Sequence, residues 1–381
     1  MRGRGAEAAA FGGMLLFGIV VALLGTVLPL VSVPLGLGLG AVGNLFLAMN
    51  GAILAGSFAF GLLVDRFGYR GPLATGPLLI GTALVLVSRA ATPLSLAGAV
   101  ALLGLGGSAL NSATNALVAD LHPEPRAKAA ALNRLGAFFG LGALLLPLMV
   151  GTLLERLGLG PLLLAMAGLC LAVGLFSAAQ RYPLPKHPDG LALEGLRDVV
   201  GHPLVLLLAF LLFFQAGSEM LLSGYLTTFL TRATGASVPA ASLVLSAFWV
   251  ALIAARFVLG RLLLEVSPLV LVPLMAGASA AALALVVVAP GFASAAALLV
   301  VAGFALSGVT PTLCGVAGAA TPQRTGTVIG WLSSLAVTGA MVLPWAGGHL
   351  AAGFGVRAVM ALGAAGFTVV LLLALAARRV R

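Results

Sequence analysis

Stretches of twenty or so apolar residues, nearly free of charge, follow one another along the whole chain, and nothing else restricts its fold as strongly. A helix needs roughly 20 such residues to cross a bilayer. Runs of that length lie near residues 9–33, 41–64, 72–90, 95–119, 129–151 and 159–180. A second set lies near 204–230, 238–262, 267–289, 292–316, 325–347 and 354–377. Asn44 and Asn50 soften the run at 41–64. Of 381 residues, 61% are hydrophobic and 8% charged, against about 25% charged in a soluble domain. Barrel strands would alternate apolar and polar residues, and these runs do not. The 51 glycines fit close helix–helix packing. The expectation is an all-α integral membrane protein with twelve transmembrane helices.

One break stands out. Residues 181–203, "RYPLPKHPDGLALEGLRDVVGHP", carry four prolines and most of the mid-sequence charge. They separate an N-terminal six-helix half, 1–180, from a C-terminal one, 204–381. Six plus six is the layout of transporters built from repeats. Within the linker, "LEGLRDVV" reads either as a short interfacial helix or as a solvated loop. Positive residues mark the inner face. With the N-terminus inside, 16 of the 20 Lys and Arg fall on inner loops and helix ends, and only Arg89, Arg156, Arg232 and Arg357 on outer ones. Both termini are therefore expected in the cytoplasm.

Several function classes drop out. Cys170 and Cys314 both fall in spans, so there is no disulfide framework or C-x-x-C site. His122, His187, His202 and His349 lack metal-ligand spacing. No P-loop appears, so ATP does not drive this chain directly. The net charge of +10 is spread over many loops without aromatic stacking platforms, which argues against nucleic acid. The first apolar run is long enough to remain as a helix rather than serve as a cleaved signal. The expectation is a non-enzymatic monomer with no cofactor, whose partners are the lipid bilayer and a small-molecule substrate. Arginine far outnumbers lysine among Ala- and Gly-rich stretches, which suggests a GC-rich bacterial genome and thus the inner membrane.

Between the second and third runs the chain reads "GLLVDRFGYRG", Gly61 to Gly71. Gly68 permits a tight turn there, and Asp65 can pair with an arginine at a neighbouring helix end. This segment resembles the loop signature G-x-x-x-D-R-x-G-R-R of the major facilitator superfamily, matched at Gly61, Asp65, Arg66, Gly68 and Arg70. Tyr69 replaces the first of the final basic pair. The resemblance implies the major facilitator fold and a conformational latch in this loop. A degraded copy, "AARFVLGRLLLE", Ala254 to Glu265, occupies the corresponding place in the second half. Arg256 within it is expected to pair with a carboxylate or a helix end and is grouped with the latch.

A narrower resemblance runs through "GLGGSALNSATNALVADL", "LNRLGAFFGLGALLLPLMVG", "FFQAGSEMLLSGYLTTFL" and "GVTPTL". Together these look like the fucose–glucose–galactose:H⁺ symporter branch, which implies monosaccharide transport. Departures accompany it. Where the fucose members have a glutamate in helix 4, this chain has Asn111, followed by Asn115. Residues 11–35 contain no acid, whereas those members have an aspartate in helix 1. The P-E-S-P-R segment of sugar porters is absent, and so is the helix-5 glycine–proline string of the drug antiporters.

Substrates of such folds bind near the bilayer midplane, where this chain has few polar residues. Gln215, Glu219 and Ser223 are spaced i, i+4, i+8 and share one helix face. Glu219 is the one charge between Pro203 and Leu230, and it lies roughly 20 Å from Arg232 at 1.5 Å per residue. A charge at the bilayer centre costs at least about 2.5–3.5 kcal/mol. With no basic residue expected at that level, a proton-carrying role follows for Glu219. Asn111 and Asn115, one turn apart, either meet sugar hydroxyls or bridge helices. Trp249 and Trp331 either cover an apolar sugar face or pack.

These residues describe a secondary active symporter for a small polar solute, a monosaccharide as the resemblance implies, coupled to H⁺ or Na⁺ through Glu219. An exporter of amphipathic or drug-like compounds, or a facilitative uniporter, uses the same fold. A receptor or scaffold is disfavoured by loops too short to hold a partner domain.

Overall fold

The computed structural model describes residues 4–184, 203–262, 265–307, 309, 313 and 325–378. Among them are twelve α-helices and no strand. In chain order they are α1 (Arg4–Ser32), α2 (Leu39–Phe67), α3 (Arg70–Ser88), α4 (Pro93–Leu121), α5 (Pro125–Leu157) and α6 (Leu159–Ala178). Then follow α7 (Pro203–Thr234), α8 (Val238–Leu262), α9 (Pro268–Val287), α10 (Phe292–Leu306), α11 (Thr325–Phe354) and α12 (Arg357–Ala377). Eleven of these are long and apolar enough to cross a membrane; α10, with 15 residues, is shorter. Most of the expected run beyond Leu306, including "GVTPTL" in part and Cys314, lies outside the described residues, as do 185–202 of the linker with His187 and His202.

Several helices outrun the apolar stretches that announced them: α5 spans Pro125–Leu157 where the sequence suggests 129–151. Helical hydrogen bonding does not stop at the edge of the hydrocarbon, so polar end residues extend the helix. The outward faces are apolar. Phe58, Leu175, Phe210, Phe257 and Leu274 are more than half exposed. In water such surfaces would mark an interface or drive aggregation; in a bilayer they face acyl chains.

The chain forms two compact units. One comprises residues 1–37 with 48–192, the other 38–47 with 193–381. The first ten residues of the α2 region thus belong with the second unit.

Within each unit the helices pair alike. In the first, α1 packs on α5, and α3 packs on α4 and α6. In the second, α7 packs on α11, and α9 packs on α10 and α12. Missing side chains make these approaches possible. A Cβ on Gly142 of α5 would lie 1.8 Å from the Leu15 carbonyl oxygen of α1, and one on Gly18 would lie 2.0 Å from the Phe139 oxygen. In the second unit a Cβ on Gly339 of α11 would lie 1.9 Å from the Phe213 oxygen of α7. One on Gly217 would lie 2.7 Å from the Gly339 oxygen. Small residues let helix backbones touch where hydrophobic exclusion from water no longer drives them together.

Candidate solute and coupling site

Helix α7 has two working faces. Gly217 and Ser218 press against α11 and α12, where a Cβ on Gly366 would meet the Ser218 hydroxyl. Gln215, Glu219 and Ser223 therefore point elsewhere. Gln215 is buried, and its Nε2 donates to the Leu306 carbonyl oxygen at 2.9 Å. That oxygen sits at the C-terminal end of α10, where helix carbonyls lack intrahelical donors. The Gln215 Oε1 is buried without a hydrogen-bond partner. The Gln215 amide also lies beside the Glu219 carboxylate. Ser223 donates to the Glu219 main-chain oxygen at 2.9 Å, so its hydroxyl proton is used within the helix. Glu219 itself is half-buried, at the middle of the 32-residue helix.

Arg256 of α8 corrects the expectation of a lone acid. It interacts electrostatically with Glu219, so a basic residue does stand near the carboxylate's level. Among the described residues no carboxylate oxygen lies within 4.0 Å of it. The Arg256 Nε is buried with no hydrogen-bond partner. Its electrostatic partner, Glu219, is on α7, whereas the sequence groups Arg256 with the latch. The helix ends seen in the structure supply what the sequence runs lacked. Glu219 lies fifteen residues before the end of α7 and Arg256 eighteen residues after the start of α8. In antiparallel neighbours that difference is about 4.5 Å of rise, which a long arginine side chain spans.

The two tryptophans differ. Trp249 is 1% exposed and packs edge-on to Phe248, with ring centroids 5.7 Å apart, so it is a packing residue in this structure. Trp331 of α11 is half-buried, and its indole Nε1 is buried without a hydrogen-bond partner. A donor left unpaired inside a protein costs about 1–3 kcal/mol, and such groups invite a ligand or water.

In the first unit, Asn115 Nδ2 donates to Asn111 Oδ1 at 3.0 Å and to the Asn111 main-chain oxygen at 2.8 Å. The pair is half-buried. Among the described residues this leaves the Asn111 Nδ2 and the Asn115 Oδ1 available, one donor group and one acceptor. A sugar hydroxyl both donates and accepts, so it suits such a pair.

The signature loop is a folded cluster. Gly68 has φ +83°, and its N–H donates to the Val64 oxygen at 2.8 Å; only glycine takes that left-handed conformation at no steric cost. Tyr69, the departure from the family pattern, is buried and donates its hydroxyl to the Asp120 carboxylate at the end of α4. Burial first, then the Asp120 and Asp65 carboxylates, hold the Tyr69 phenol well above its usual range, so it stays a donor. Arg70 Nε donates to the Ala178 oxygen at 3.0 Å, at the C-terminal end of α6. Nearby, the Tyr182 hydroxyl donates to the Ser177 oxygen at 2.8 Å and is pushed up to about 12, chiefly by burial. Arg66 stacks over Phe67 at 5.4 Å. Gly61 has open space around it.

Two further clusters escaped the sequence reading. Glu7 of α1 meets His122 Nε2 and Arg134 NH2, each at 3.3 Å. In the second unit, Asn44 Oδ1 accepts from Trp345 Nε1 and lies 3.1 Å from His349 Nε2. Both join residues more than a hundred positions apart, which no local pattern announces. An apolar groove of about 610 Å³ between α8 and α10, lined by Leu243, Val244, Phe292 and Val300 among others, offers nothing to orient a polar solute.

Two helical units with matched pairing, and a few unpaired polar groups deep within apolar spans, define a multi-pass membrane protein of repeat architecture. The chain belongs to the Major Facilitator Superfamily, which it matches over residues 10–229 and again over 208–381. It is 34% identical over 156 residues to two MFS-type transporters of Mycobacterium tuberculosis, Rv0849 and MT0872. The matched stretch is 40% of this chain and spans only 35% of the length of those relatives. In fold it resembles a bacterial homologue of the human lysosomal transporter Spinster in an inward-facing, occupied conformation. That likeness has a TM-score of 0.79 at 15% identity and covers 98% of this chain and 96% of the other. It also resembles a variant of the nucleoside transporter NupG, with a TM-score of 0.79 at 13% identity, covering 100% and 99%. At such identities these likenesses bear on the fold alone.

Proposed function

We propose that the protein is a secondary active transporter that carries a small polar solute together with H⁺ by alternating access, Glu219 being the proton carrier. It resides in a bacterial inner membrane with both termini in the cytoplasm, a monomer that needs no cofactor. The observation that carries this reading is Glu219, half-buried at the middle of an apolar helix with the Gln215 amide beside it. An ionised carboxylate shut away from water carries a heavy desolvation cost, which the nearby Arg256 charge offsets only in part. Closure of the protein around solute therefore favours the protonated form, and opening to a less acidic cytoplasm releases the proton. Asn111, Asn115, Ser223 and Trp331 are the further solute contacts of this reading, with Trp249 supporting them from the packed side. Monosaccharide size follows from the resemblance of helices α4, α5 and α7 to the sugar:H⁺ symporters. The loop of Gly61, Asp65, Arg66, Gly68 and Arg70 is the latch.

The test is uptake by the purified protein in proteoliposomes. With an imposed inward H⁺ gradient, wild type accumulates solute, whereas Glu219→Gln exchanges it but does not concentrate it. Concentrative uptake by the Gln variant equal to wild type removes Glu219 from coupling and favours the uniporter. Uptake that follows a Na⁺ gradient at constant pH replaces H⁺ by Na⁺, and stabilisation by amphipathic dyes alone favours the exporter.

A further inference from the structure

Arg256 is the second ionisable group beside the candidate site, and proton coupling through Glu219 leaves its charge unexplained. The guanidinium remains charged at every physiological pH. When Glu219 is ionised the two charges offset each other. When Glu219 takes a proton, Arg256 stands alone. α7 packs against α8, α10, α11 and α12. The other charged or titratable groups on those helices are Arg261 on α8, His349 on α11 and Arg357 on α12, with Arg378 just beyond the end of α12, and Tyr225 and Arg232 on α7; α10 has none. None is an acid. Nothing else on these elements replaces the negative charge that protonation removes, and an uncompensated buried charge is strongly unfavourable.

Geometry agrees. Arg256 has a buried Nε without a hydrogen-bond partner, and no carboxylate oxygen among the described residues is within 4.0 Å. Its donor fork is thus incompletely used by the protein. The Gln215 Oε1 and the Trp331 Nε1 in the same unit are also buried and unpaired. Guanidinium forks match carboxylates in bidentate geometry.

We infer that the transported solute carries a single carboxylate, which pairs with Arg256 while Glu219 holds the proton. The inference rests on the coupling role proposed for Glu219 and names the solute class for it: a monosaccharide-sized acid, such as a sugar acid or hydroxy acid. In the loaded state the solute carboxylate faces Arg256, and Glu219 is neutral. In the empty state ionised Glu219 takes over Arg256. Each state leaves the site with no net charge, so one anion and one proton cross together without moving net charge.

The test compares matched probes on the full-length protein: gluconate, lactate and glycerate against glucose and glycerol. Thermal stability in detergent and uptake under an imposed H⁺ gradient are both measured at two pH values. The expected result is stabilisation and uptake by one or more of the acids, stronger at the lower pH, and none by the neutral compounds. Uptake should not respond to a potassium–valinomycin potential. Arg256→Gln should weaken acid binding about tenfold to a hundredfold, the range for a hydrogen bond to a charged group. Arg256→Lys, which keeps the charge, should retain part of it, and Glu219→Gln should bind the acid with its pH dependence gone. If Arg256→Gln does not fold, the wild-type comparison and the Lys variant still decide. Proton-driven uptake of glucose with no response to any acid overturns the inference and leaves the proposed function standing. Acid binding that depends on Arg256, without proton-driven uptake, supports the anion site and sinks the coupling role. A response to none of the acids in either assay overturns the inference.

Discussion

The pair α1–α5 and the pair α7–α11 are built alike and carry different polar side chains. In each, a glycine on the second helix touches a backbone oxygen of the first, Gly142 at Leu15 and Gly339 at Phe213. Counting from those contacts, the place of Glu219 in α7 falls at Val21 in α1, which is buried and apolar. The place of Gln215 falls at Phe17. One helix of each pair thus keeps the same contacts, yet only α7 carries an amide and an acid. Packing is symmetric because it depends on small residues at fixed spacing. The chemistry is not, because a charged group in an apolar span is costly and the packing of the two helices does not call for one there. The loops repeat the lesson: "GLLVDRFGYRG" folds through the contacts of Gly68, Tyr69 and Arg70, whereas the second-half copy has Gly260 where Asp65 would stand.

The largest effect should come from the shared contacts. Gly142→Val and Gly339→Val each drive a side chain into backbone, and overpacking of this kind costs about 1–3 kcal/mol or more. Both should lower the unfolding temperature in detergent by similar amounts. Gly168→Val, where a Cβ meets nothing within 4 Å, should not. If either of the first two behaves like the third, the correspondence between the pairs is broken.

An intermediate effect is expected at the loop. Tyr69→Phe removes a hydrogen bond to the Asp120 carboxylate, of a type worth about 1.5–3 kcal/mol. Both this change and Asp65→Asn should slow turnover while solute affinity stays within a few-fold, because the loop lies at the far end of α2 from the middle of the spans. A large loss of equilibrium binding in a well-folded variant would contradict the latch reading.

The smallest effect concerns the amide pair. Asn115→Ala should weaken solute binding by about 1 kcal/mol, roughly fivefold, as for one hydrogen bond to a neutral hydroxyl. Asn44→Ala should instead lower stability, since Asn44 meets Trp345 and His349. Equal binding losses from the two changes would remove Asn115 from the site.

What the sequence by itself determined is the set of spans, the repeat layout and the loop signature. The bilayer sets the first: without water, backbone groups must be satisfied within each helix, so apolar length alone announces the element. α8, Val238–Leu262, could be read to the residue. The face shared by Gln215, Glu219 and Ser223 was legible for a like reason, since helical periodicity is local. Tertiary structure alone decided partners. It brought Arg256 within electrostatic reach of Glu219, turned Tyr69 onto Asp120, buried Trp249, and joined Glu7 to His122 and Arg134. Those outcomes depend on helix rotation and neighbour choice. Both are set by glycine contacts between residues far apart in the chain, where the periodicity of a single helix carries no information.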